Sequence, residues 1–157
     1  MRGSVVIAVC VVAAALLARA ALAASPSTGD PCCGLITPEG RKLVLMLDHS
    51  GVASLWQSHA HVDWLSGEPD PVRLAPARRT THCSAFAAAM ATRLDIDLLH
   101  PPQHGQRLLA NAQSHWLLAH GDAHGWRPVD ARAAQSLANR GWFVVASYAN
   151  PDPRRPG

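Results

Sequence analysis

The segment Trp142-Phe143-Val144-Val145-Ala146-Ser147-Tyr148 places the tightest constraint on the fold. Its β-branched and aromatic side chains predict a strand. Apolar residues fall on both of its faces, so it requires neighbouring strands and cover above and below. Gly141, after Asn139-Arg140, is the usual stop signal of a preceding helix. The stretch from Asn150 to Gly157, with Pro at 151, 153 and 156, reads as a turn.

Upstream, the apolar spacing predicts helices. Phe86, Met90 and Leu94 recur at i, i+4 and i+8, so one stripe faces a core. Thr80-Thr81 can cap this helix near His82, a hydroxyl oxygen satisfying first-turn N–H groups. Asp95-Ile96-Asp97 ends it. After Pro101-Pro102 a second helix is expected from Gln103 to Leu118, with Leu108 or Leu109, Ala112 and Trp116 inward. Gly121 to Gly125 is a turn, and Val129-Asp130 opens a third helix over Ala131 to Asn139 with Leu137 inward. The apolar run Arg41 to Leu47 is bounded by Pro38-Glu39-Gly40 and Asp48-His49-Ser50-Gly51, which predicts a buried strand. Val52 to Trp56 would return from that turn as a second strand, extended by His59 to Trp64. Ser66 to Pro71 reads as a loop. Together these elements predict an α+β domain.

The chain has 157 residues, 48% of them hydrophobic and 16% charged, enough for one domain with a core and too apolar for disorder. Met1-Arg2 followed by the apolar run Val5 to Leu17 and the small-residue site Ala21-Leu22-Ala23 predicts an export signal over residues 1–23. That run is too short to span a bilayer, which takes ~20 residues. Residues 24–40 read as a flexible linker and 41–157 as the domain. The basic residues number 14 against 11 acidic, and without Arg2 and Arg19 the balance is 12 to 11. A nucleic-acid-binding face is therefore not indicated. Removal of Cys10 with the leader leaves Cys32, Cys33 and Cys83, an odd number for an exported protein. Either Cys32 or Cys33 can pair with Cys83, and the pairing stays open.

The first candidate for chemistry is His82-Cys83-Ser84-Ala85-Phe86-Ala87. A thiolate is stabilised at the first turn of a helix, where free N–H groups and partial positive charge gather. The same N–H groups can hold an oxyanion. A buried or disulfide-bonded cysteine is the competing structural role. This segment resembles the nucleophile motif of the NlpC-type and CHAP-type cell-wall amidohydrolases, a branch of the papain-like cysteine peptidases. Residues Ala134 to Ala146, a helix, a turn and a strand, resemble the unit preceding that family's catalytic histidine. The likeness extends from Thr80 to Gly157. It implies a papain-like fold, with a Cys-bearing helix on a small antiparallel sheet, and amide hydrolysis in peptidoglycan through a thioester on Cys83. In that family a Gly-His pair follows the turn after this strand, so the domain is expected to be incomplete at its C-terminus, the base lying beyond Gly157. Service by another histidine, or an inactive protein, are the other two readings.

Two further patterns compete. His59-Ala60-His61-Val62-Asp63 puts three possible metal ligands on one face of a strand, and resembles the His-x-His-x-Asp run of metallo-β-lactamase-type hydrolases. His115, His120, Asp122 and His124 could add ligands from a loop. A zinc-dependent hydrolase is the alternative this supports. The third is a non-catalytic cell-wall-binding module. Of the five tryptophans, Trp116 and Trp142 read as core, whereas Trp64 and Trp126 are flanked by polar or turn residues and are the candidate substrate-binding rings. Arg78-Arg79 forms a small positive patch before the helix. The leading reading is an exported periplasmic or extracellular hydrolase acting on peptidoglycan or another amide substrate. It calls for no cofactor, no nucleic acid and no stable membrane anchor.

Overall fold

A computed structural model describes residues 6–10, 34–56, 60, 62–63, 65, 67–69, 83–105 and 108–155. The element order is β1 (Val6–Cys10), α1 (Pro38–His49), α2 (Cys83–Arg93), α3 (Leu109–His120), a 3-10 turn (Gly121–His124), β2 (Trp126–Val129), α4 (Ala131–Ala138) and β3 (Phe143–Ser147). The chain is mixed helix and strand, the α+β class expected.

β1 is the middle strand of a three-stranded sheet of order β2-β1-β3 and is antiparallel to both neighbours. β2 and β3 therefore run the same way on either side of it, joined by α4. The neighbour that β3 requires is thus β1, paired from Val6↔Ser147 to Cys10↔Phe143. Those five residues come from the apolar run read above as the centre of an export leader. An unbroken apolar run suits a leader and a central strand equally well.

α2, α3 and the sheet enclose the core. It gathers Ala89, Met90 and Ala91 of α2, Ile96 and Leu98 of the following segment, Leu117 of α3, Trp126 of β2 and Phe143 of β3. Phe86 and Leu94 pack against it from either side of Met90, the stripe read from their spacing. Arg93 ends the helix, and Asp95 takes a left-handed φ of 56°.

α4 is capped by Asp130, whose carboxylate accepts from Ala133 N at 2.7 Å, and ends at Ala138, with Gly141 at φ 90° turning the chain away beyond it. Both signals were legible. α3 starts later than Gln103 because the segment after the two prolines closes its own turn, His104 N donating to His100 O at 3.1 Å. Its inward line is Leu109, Gln113 and Leu117, with Asn111 and Ser114 beside it. Trp116 packs half-buried on the core.

Two sequence expectations fail here. Arg41 to Leu47 is helix, not strand: it lies within α1. Thr37 caps that helix by accepting from Gly40 N at 3.2 Å, and Pro38 opens it. Leu43, Met46 and Leu47 meet the core at helical spacing while Val44 and Leu45 face solvent. The Pro38-Glu39-Gly40 segment is a first turn rather than a strand boundary. Val52 to Trp56 is not a strand either. Ser54 N and Leu55 N both bond back to Gly51 O, at 2.9 and 2.7 Å, coiling the chain into turns.

Candidate active site

Cys83 is the first residue of α2 and is exposed as a free thiol. The helix it heads is otherwise sunk in the protein, with Ser84, Ala85, Ala88, Ala89, Met90 and Ala91 buried. Alanine at four of those six positions lets neighbouring backbone come close, so the helix is held along its buried face and its leading residue is presented at a fixed place. Thr80, Thr81, His82 and the Arg78-Arg79 pair lie outside the described residues, as do Cys32 and Cys33. Trp56 meets Phe86, one turn after Cys83, edge to face at 5.2 Å between ring centroids. Its indole nitrogen is buried and, among the described residues, has no hydrogen-bond partner.

Among the described residues, no histidine is hydrogen-bonded to the Cys83 thiol. A histidine–carboxylate pair does stand elsewhere: His124 Nδ1 lies 2.5 Å from Asp97 Oδ2. The His124 ring rests on Trp116 at 4.8 Å, and His120 approaches the same indole at 6.5 Å. Trp126 fixes this pair from below by donating its Nε1–H to Asp97 O at 2.6 Å.

That bond also corrects the reading of Trp126 as a substrate-binding ring. At 1% exposure it is a core side chain, edge-to-face with Phe143. Its polar flanks misled because β2 is short: Arg127 and Pro128 face out, and one large ring anchors the strand. Trp64, the other candidate ring, lies outside the described residues.

The alternative metal run is divided in the same way. His59 and His61 lie outside the described residues. Asp63 belongs to a tight loop closed by the Val62↔Pro69 bridge. Its carboxylate accepts from Leu65 N at 3.1 Å, and its backbone pairs with Gly67 and Glu68. Gly67 sits against Arg93, where any Cβ would overlap the guanidinium. The loop therefore meets the far end of α2, roughly 15 Å of helix from Cys83 at ~1.5 Å per residue. Among the described residues no group of three or more His, Cys, Asp or Glu could hold a metal ion, and no helix is long and apolar enough to cross a membrane.

Sequence reasoning missed the polar side chains on the buried face of α3. Gln113 donates to Ser84 O at 3.1 Å and to Leu99 O at 2.9 Å. Asn111 donates to Arg155 O at 2.8 Å and accepts from Asn150 N at 3.1 Å, closing the turn after β3. Their one signal was that Asn and Gln interrupt an otherwise apolar helix stripe. Compared with known proteins, the chain matches no family model, no curated protein and no solved structure.

Proposed function

We propose that the protein is a cysteine-dependent amide hydrolase of papain-like type acting on cell-wall peptides. The observation that carries the reading is Cys83 itself: a free, exposed thiol at the head of a helix whose body is locked in the core. In this reading a histidine takes the Cys83 thiol proton, the thiolate attacks the scissile carbonyl, and a tetrahedral oxyanion forms beside the first-turn N–H groups. Collapse expels the amine, which takes a proton from a histidine, and water then hydrolyses the thioester. The short α2–sheet core and the order helix, strand, helix, strand after Cys83 are compatible with the resemblance read from Thr80 to Gly157.

The test is release of new amino groups from purified peptidoglycan by the wild-type chain and by Cys83→Ala. Loss of a nucleophile costs orders of magnitude, so Cys83→Ala should lower the rate by at least about a thousandfold while retaining the wild-type circular dichroism spectrum. Equal turnover by the two proteins would overturn the proposal, as would a wild-type protein that releases nothing.

A further inference from the structure

The core-facing side of α3 carries two buried amides with different partners, and the difference points to a role for one of them. Buried amides are ordinarily paired, and an unpaired one is costly. Gln113, 4% exposed, spends its NH2 group on two main-chain carbonyls from separate segments, Ser84 O and Leu99 O. One hydrogen serves each. Ser84 follows Cys83 in the first turn of α2. Its carbonyl belongs to the Ser84–Ala85 peptide, whose N–H is one of the donors a helix start leaves without an intrahelical partner. A hydrogen bond accepted at the carbonyl end of a peptide polarises its N–H end. The same bond fixes the rotation of the first turn relative to α3 and to the 96–100 segment, and with it the direction in which the Cys83 side chain leaves the helix.

We propose that Gln113 is a positioning residue for Cys83, setting the orientation and donor strength of the turn that carries the thiol without touching the reacting atoms. The proposal deepens the reading of Cys83 as nucleophile and rests on it.

Carbamidomethylation of Cys83 by iodoacetamide in the folded full chain tests it, with peptide mass spectrometry separating Cys83 from Cys10, Cys32 and Cys33. Gln113→Met keeps the length of the side chain and removes both donors. It should slow Cys83 labelling about tenfold near neutral pH, the kinetic equivalent of one hydrogen bond. Asn111→Leu is the matched control, since it removes a buried amide of the same helix whose partners, Asn150 and Arg155, lie in another part of the chain. Its labelling rate should stay within about twofold of wild type even though its melting point falls. Should Gln113→Met fail to fold, Gln113→His replaces it: a ring N–H can serve one carbonyl, and the rate should fall between that of wild type and the roughly tenfold loss expected when both donors are gone. Equal slowing in the Asn111 and Gln113 variants, or an unchanged rate in a folded Gln113 variant, overturns the role. Full peptidoglycan turnover by Cys83→Ala would instead overturn the nucleophile, leaving the labelling comparison to stand separately.

Discussion

Helices α1 and α2 are similar in length and are attached in opposite ways. α2 is held by its side chains: Ala88, Ala89 and Met90 are each fully buried, and the helix has little of itself left for solvent. α1 leaves large aliphatics outside, Val44 46% and Leu45 54% exposed, and is held at its first turn by backbone. Thr37 N donates to Asn139 O at 2.9 Å. Gly40 is buried so close to that carbonyl that a Cβ would overlap it. Gly141, across the contact, also has little room, since a Cβ there would fall 2.6 Å from the Glu39 Cβ. Helix α2 is thus fixed by volume along its buried face, while α1 adds to the packing of Leu43, Met46 and Leu47 a close backbone contact at two glycines.

The largest effect should come from breaking the first kind of attachment. Met90→Ala removes a fully buried side chain from the centre of the core and should cost ~2–5 kcal/mol, read as a drop in urea midpoint. Leu45→Ala deletes a comparable volume from α1 and should stay within ~0.5 kcal/mol. Similar losses at both positions would erase the distinction between the helices.

The second attachment has a test in which two effects oppose one another. Gly→Ala inside a helix ordinarily stabilises by up to ~1 kcal/mol, because alanine loses less backbone freedom. At Gly40 the new methyl group collides with the Asn139 carbonyl, and backbone cannot rotate away as a side chain would. Overpacking of this kind costs ~1–3 kcal/mol, so Gly40→Ala should be net destabilising. A gain in stability would mean that the first turn of α1 is not docked on the end of α4.

The same contrast explains which parts of the fold were readable. α2 and α4 announced themselves through an i, i+4 stripe, Asp130 and Gly141, each a local signal that the structure uses locally. α1 did not. Its five consecutive apolar residues from Leu43 to Leu47 satisfy a strand and a helix equally, and only the cap on Thr37 separates them. Trp126 was misread because its neighbours in sequence are polar, while its neighbours in space are Phe143 and the Asp97 carbonyl. For the candidate site, Cys83 at a helix start was legible, whereas Gln113 was not. Its bonds run 29 and 14 residues back along the chain, and pairing at that separation leaves no trace in local pattern.

The smallest effect sharpens the comparison from the α1 side. Glu39 is fully exposed, and its carboxyl is held below its ordinary value of 4.5, first by a hydrogen bond from backbone N–H and then by one from the Thr37 side chain, with Lys42 adding attraction. A carboxylate in the first turn is also favoured by the partial positive charge there. A group with a lowered value in the folded state binds its proton less readily than in the unfolded chain. The stability it contributes is therefore complete above 4.5 and is lost as pH falls through the folded value. Glu39→Gln should accordingly melt slightly below wild type at neutral pH, and the gap should close as both are titrated into the acid range. Because the group is in water, added salt should narrow the gap at neutral pH as well. A gap that persists unchanged at low pH would show that the charge of Glu39 is not what secures this turn, leaving the attachment of α1 to Thr37 and the two glycines.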